Sequence, residues 1–298
     1  MHGERRKDDT ARIRAVTRLS IAANLSLSAV KLVVGILTGS LALMADGIHS
    51  LSDIVTDVAV LVGLHLGSRE PDECHPYGHG RLETLSAGAV AIVLVVAGSA
   101  MIYKATLAIA GNVRTLPHIG VLVTAVFSIG AKEWLYRVTK RAAVESHSSA
   151  LYANAWHHRS DALSSVAVVA GYTALAIDFA HGDAVAAIAV GLMIIWVGVK
   201  IISKILGELA ERAVDPEMME RIKAIIDSEP DIRSWHKLRT RMVGREVFLD
   251  LHILVDPALN VAGAHEIAER LEESLSTRIS RPTNIIVHVE PDVPELRK

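Results

Sequence analysis

A single cysteine, Cys74, occurs in the 298 residues. A lone thiol excludes an intrachain disulfide framework and any cysteine-rich zinc module, so metal chemistry here has to rely on histidine and carboxylate. The sequence has no His-Glu-x-x-His motif, no internal repeat and no low-complexity segment. A formal net charge of −2 gives no reason to expect a nucleic-acid partner. A secretory signal is also missing. Arg5, Arg6, Lys7, Arg12 and Arg14 precede a long apolar stretch, but no short apolar core with a small-residue cleavage site follows. Residues 1–14 read as a solvated basic tail on the cytoplasmic side.

Apolar residues are abundant, at 51% of the chain, with a mean hydropathy of +0.35. Charged residues still make up an ordinary 21%, so charge is segregated rather than absent. Six stretches, near 16–38, 41–66, 84–109, 117–139, 149–178 and 183–206, are long and apolar enough to cross a bilayer as helices. The connections set their direction. Arg69 and Arg81 fall in 67–82, and Lys132, Arg137, Lys140 and Arg141 in 132–141, whereas 38–41 and 179–183 have no Lys or Arg and 110–116 only Arg114. Basic residues thus alternate in side with the basic N-tail, and an even number of spans returns the C-terminus to the cytoplasm.

Beyond about residue 210 the pattern changes. Residues 215–229 read as an amphipathic helix opened by Asp215-Pro216, and 261–279 as a second. Trp235–Arg241, Val247–Val255 and Asn284–Val289 read as strands. This order predicts a small α+β domain with helices on one face of a sheet. The expected division is therefore a tail over 1–14, a six-helix membrane domain over 15–209 and a soluble domain over 210–298.

The chemistry concentrates in the second and fifth spans. LMADGIHSLSD places His49 and Asp53 four residues apart, and ANAWHHRSDALSS does the same for His157 and Asp161. Each pair shares a helix face. Ionisable groups inside a membrane helix are costly and mark function by default. Two imidazoles and two carboxylates make a tetrahedral shell for zinc, and the set also admits cobalt, manganese, ferrous iron or cadmium. The bland alternative for one pair is a polar patch that binds water or a neighbouring helix; matched duplicates argue against it. His158 sits about 100° around the helix from His157 and has no carboxylate at i+4, so it is set aside. Asp57 continues the Asp53 face, either as a proton relay or as a group that solvates a cavity.

LALMADGIHSLSD, HPYGHGRLETLSA and HHRSDALSS together make the chain resemble the cation diffusion facilitator family, in particular its bacterial zinc and ferrous-iron efflux branch. The resemblance covers essentially the whole chain. It implies a homodimer, metal/proton antiport in which His49, His157 and Asp161 take up protons, and a ferredoxin-like cytoplasmic domain. That branch carries Asp where this sequence has His49, while zinc-selective members commonly carry His, which favours zinc as the ion carried. The resemblance also implies a second metal site at Asp72, His75 and His79 in the loop, against the alternative of a turn ordered by Gly and Pro. Cys74 beside it is as readily incidental. A third, binuclear site at the dimer interface is implied at His236, His252, His265 and His288 with Glu290, where the family has Asp; dispersed surface histidines are the alternative. Arg81 and Glu211 lie where the family joins its two domains by a salt bridge, against two solvated charges worth little.

Metal ligands must lose their protons to bind, so one buried site that accepts zinc or protons is the core of an antiporter. The expected setting is a bacterial inner membrane with both termini cytoplasmic, the partners being a second copy, divalent ions, protons and lipid. Three rivals stay open at this point. An intramembrane zinc hydrolase would need an open coordination position. A passive channel would favour weak multi-site binding. A metal sensor without transport is the third.

Overall fold

The computed structural model describes residues 2–38, 41–111, 119–176 and 182–296, with side chains for all of these except 2–10, 34, 35, 37, 38, 41–52, 55, 120, 121, 164, 167, 168, 171–176, 182, 183 and 186. Two compact units result: residues 8–205, and residues 206–298 with 1–7.

Among the described residues, 8–205 contain six long helices, whose full extents are α1 (His2–Thr38), α2 (Leu41–Gly67), α3 (Arg81–Ala110), α4 (Ile119–Glu145), α5 (Ser149–Ala176) and α6 (Gly182–Leu209). The shortest has 27 residues, about 40 Å at 1.5 Å per residue, which exceeds a bilayer's hydrocarbon core. All six expected spans are helices over their described residues, with 117, 118, 177 and 178 lying outside these. The expected tail is not separate, because α1 starts at His2, Ile13 is fully buried and Arg12 pairs with Glu145. Among the described residues, Ala11–Val33, Arg81–Ala110 and Ala187–Leu209 are long and apolar enough to cross a membrane. Helices α2, α4 and α5 carry the buried polar residues Asp53, Asp57, Lys132, Asn154, His157 and His158, and α1 adds Ser20, Asn24 and Lys31. Large apolar side chains such as Leu25, Val62, Val96, Phe127 and Trp196 face outward, the pattern a helical unit shows in lipid.

Close approach of α3 and α6 depends on glycine. A Cβ at Gly98 would lie 2.8 Å from the Gly191 carbonyl oxygen, and one at Gly191 2.9 Å from the Gly98 carbonyl. Such contacts let membrane helices pack by van der Waals attraction where no hydrophobic force separates them from lipid.

The second unit contains α7 (Pro216–Asp227), β1 (Ser234–Val243), β2 (Glu246–Val255), α8 (Val261–Arg278) and β3 (Thr283–Pro291). Asp215 caps α7 by accepting from the Met218 N–H, with proline in the first turn, and Asn260 caps α8 through the Gly263 N–H. The sheet order is β1-β2-β3, the first pair antiparallel and the second parallel. Gly244, at φ 59°, opens the two-residue β1–β2 turn, where a side chain would be strained.

Alternation along β2 divides the sheet. Val247, Leu249, Leu251, Ile253 and Val255 join Ile222, Ile226, Leu271 and Leu275 of the helices in one buried cluster. Their neighbours Asp250 and His252 lie on the opposite face. This is the α+β arrangement expected, with helices on one side of the sheet.

Candidate metal centres

In the first unit, α5 presents His157 and Asp161 one turn apart, and α2 brings Asp53 against them. The ligand atoms of these three residues lie within 4.8 Å of one another. Asp53 Oδ1 is 3.5 Å and Asp161 Oδ2 4.0 Å from His157 Nε2. Asp53 and His157 are buried at 3% and 4% exposure. Neither ring nitrogen of His157 makes a regular hydrogen bond, and a buried polar atom left so costs free energy unless something binds it. His49 belongs to α2, but its side chain lies outside the described residues.

Two features of this site were not legible as such in the sequence. Lys132, counted there among the loop cations, lies inside α4 at 2% exposure. Its ammonium donates to Asp53 Oδ2 at 2.7 Å and to Asp161 Oδ2 at 2.8 Å. The signal was available, since an ionisable residue within a proposed span is a functional candidate by default.

The second feature is a wholly buried polar network beside the site. Asp57 accepts hydrogen bonds from Ser20 Oγ at 2.8 Å, Asn24 Nδ2 at 2.9 Å and Asn154 Nδ2 at 2.6 Å. His158, set aside in the sequence, pairs through Nε2 with Ser20 Oγ at 2.9 Å. The network ties α1, α2 and α5 together immediately next to His157.

The loop between α2 and α3 gathers Asp72, His75 and His79. Asp72 Oδ1 accepts from the backbone N–H of His75 at 2.7 Å and of Cys74 at 3.0 Å. His75 Nδ1 and His79 Nε2 each lie 3.3 Å from an Asp72 oxygen, and the two rings are 4.3 Å apart. Chiefly the backbone bond from His75 holds the Asp72 carboxyl below its ordinary pKa.

In the second unit, strand register does the gathering. His236 faces His252 across the antiparallel pair, and His252 faces His288 across the parallel pair. Ring centroids are 5.2 and 4.5 Å apart. Glu290, two residues beyond His288, shares its face: Oε1 is 2.7 Å from His252 Nδ1 and 3.6 Å from His288 Nε2, and Oε2 is 3.1 Å from His236 Nε2. The bond from His252 is the main cause that holds the Glu290 carboxyl below its usual value. His265 is not brought to this cluster. It sits exposed on α8 and pairs with Glu269 at 3.3 Å, the i,i+4 neighbour of its own helix. Glu211 lies 3.3 Å from Arg241 within the second unit.

Residues 17–210 match the model of the cation efflux transmembrane domain, and 214–292 that of the cation efflux protein cytoplasmic domain. Metal tolerance protein C1 of Arabidopsis thaliana is 33% identical over 93% of this chain, which spans 62% of that protein's length, less than two thirds. The manganese efflux system protein MneP of Bacillus subtilis is 31% identical over 93% of this chain and 96% of its own. Among solved structures, the metal-bound C-terminal domain of the CzcD transporter from Thermotoga maritima is 29% identical, covers 25% of this chain and 87% of that one, and has a TM-score of 0.25. The family consists of transporters rather than enzymes, which removes the hydrolase alternative. The chain belongs to the cation efflux, or cation diffusion facilitator, family of multi-pass membrane metal-ion transporters.

Proposed function

We propose that the protein exports divalent transition-metal ions, zinc foremost, from the cytoplasm across the inner membrane in exchange for protons. The observation that carries this reading is the convergence of Asp53, His157 and Asp161 inside the helical unit, with both His157 ring nitrogens free of regular hydrogen bonds. The His-x-x-x-Asp spacing in the sequence makes His49 the fourth donor in this reading. Two imidazoles and two carboxylates suit tetrahedral zinc. The Bacillus subtilis relative is named for manganese efflux, and manganese prefers a harder, oxygen-rich shell, so the imidazole at His49 tilts the choice to zinc.

Each donor must be deprotonated to hold the ion, so protons arriving from the outside compete for the same atoms and release it. Alternate exposure of the site to the two sides then couples the inward proton gradient to efflux. The match of residues 214–292 to the family's cytoplasmic domain supports a homodimer with both termini in the cytoplasm. The clusters at His236, His252, His288 and Glu290 and at Asp72, His75 and His79 are read as accessory metal sites, the first a cytoplasmic sensor.

Asp161→Ala tests the central claim, because it removes a ligand that no other described carboxylate on α5 replaces. The purified variant should remain folded and show no zinc transport above empty proteoliposomes, with or without a pH gradient. Wild-type rates would sink the assignment.

A further inference from the structure

Two buried carboxylates cannot remain unpaired in a low-dielectric interior without a large desolvation cost. Here the Lys132 ammonium meets that requirement. It lies 2.7 Å from Asp53 Oδ2 and 2.8 Å from Asp161 Oδ2, at 2% exposure, between the residues read as metal ligands. Asp161 Oδ2 is the contested atom, since it faces both Lys132 Nζ at 2.8 Å and His157 Nε2 at 4.0 Å. A zinc ion bound to that oxygen would sit about 2.0–2.2 Å from it, and a divalent charge that close to an ammonium is strongly repelled where dielectric screening is weak.

We propose that Lys132 is the resident cation of the empty transport site, neutralising Asp53 and Asp161 when no metal is bound and withdrawing when the divalent ion enters. The inference rests on the reading of Asp53, His157 and Asp161 as the transport site. Its chemistry is an exchange of cations at fixed carboxylates. Lysine suits the role because its charge is compact and its four-carbon stem can swing the ammonium aside, whereas a guanidinium would grip two carboxylates in a rigid fork. Two consequences follow. Metal affinity is set by competition with a tethered charge, so the ion can be released as well as captured. The empty site also holds its carboxylate charge largely compensated, so the protons that drive the return step are not needed to neutralise both carboxylates.

Zinc–zinc exchange in zinc-loaded proteoliposomes reads metal affinity without requiring the empty carrier to return. Lys132→Met should lower half-saturating zinc for exchange at least about tenfold, while net uptake into zinc-free vesicles falls relative to exchange. Lys132→Arg should raise half-saturation by a similar factor. A lysine that merely braced the helices would give neither opposite shift, and half-saturation unchanged or raised in both variants overturns the proposal. Where the Met variant does not assemble, the Arg variant decides alone: a raised value supports the proposal and an unchanged one overturns it. Asp161→Ala serves as the separate control. Wild-type exchange in that variant would remove the transport-site reading itself, whereas loss of exchange there with unmoved Lys132 variants removes only the tethered cation.

Discussion

Replacing Asp57 by alanine tests whether the buried network beside the proposed transport site braces the fifth helix. Asn24 and Asn154 are fully buried, and each directs its amide N–H group at Asp57, at 2.9 and 2.6 Å. Alanine leaves Asn24 without its acceptor and Asn154 with only the long contact to His158 Nε2 at 3.4 Å, at about 1–3 kcal/mol for each group left unsatisfied. Part of this is offset because a buried carboxylate no longer has to be desolvated. Ser20 keeps His158 Nε2 as a partner at 2.9 Å. The net loss should be about 2–3 kcal/mol, a fall in melting temperature of roughly 5–10 °C. Asparagine at the same position should behave differently. The Oδ1 atoms of Asn24 and Asn154 are buried without partners, so a flip of either amide turns an acceptor toward the new N–H group. Asp57→Asn should therefore melt within about 3 °C of wild type. Thermal unfolding of the detergent-purified proteins, followed by size-exclusion recovery, measures both. An alanine variant as stable as wild type, or an asparagine variant less stable than alanine, refutes the reasoning.

Other outcomes follow from the remaining sites. His49→Asp should retain zinc transport but relax discrimination against cadmium, manganese and ferrous iron, read from competition by each ion; an unchanged selectivity ratio would show that position 49 does not set it. A fragment covering residues 212–298, which contains its own buried core, should bind zinc by calorimetry at neutral pH and lose most of that binding on His252→Ala with His288→Ala. In metal-free buffer, the depressed Glu290 carboxyl contributes stability above the ordinary glutamate value, about 4.3, that is lost as pH falls through its lower folded value. Glu290→Gln should flatten that acid limb of the melting curve, and an identical limb in both proteins would contradict the assignment.

Much of this architecture was legible because periodicity within one segment is a local property. His157 and Asp161 had to share a face of α5, as His288 and Glu290 had to share a face of β3, whatever surrounded them. The alternation of β2 likewise gave its buried side directly. What periodicity leaves open is which face of one element meets which face of another. Lys132 looked like one more basic residue near the end of a span, and only the packing of α4 on α5 turns it toward Asp161. His158 was discarded because its own helix offers it no carboxylate, yet its partner comes from α1, more than a hundred residues away. His265 lies on α8 rather than on the sheet face, beside Glu269 of its own helix, and the part expected of it is at an interface between two copies, which the pattern of one chain does not position. The bulge between His236 and Arg239, beside which His236 meets Glu290, has no signature in the residue pattern.

The three clusters use the same donor types, so donor chemistry alone does not separate their roles; what already holds the donors does. Asp72 is exposed and bound to backbone N–H groups of its own loop, so a metal there must compete with bonds that order the turn. At the sheet, Glu290 is bound by histidines that would themselves be ligands, so an ion replaces bonds within the set and leaves the strands in register. That arrangement suits retention of an ion. Inside the helices the competitor is a full charge on a movable stem, Lys132 Nζ, held by both carboxylates. Entry of a divalent ion there displaces a cation and departure restores it, so the buried site can pass between loaded and empty states without leaving two bare carboxylates in the interior. The reading of this cluster as the transport site requires that reversibility, and it distinguishes the cluster from the other two more sharply than ligand identity does.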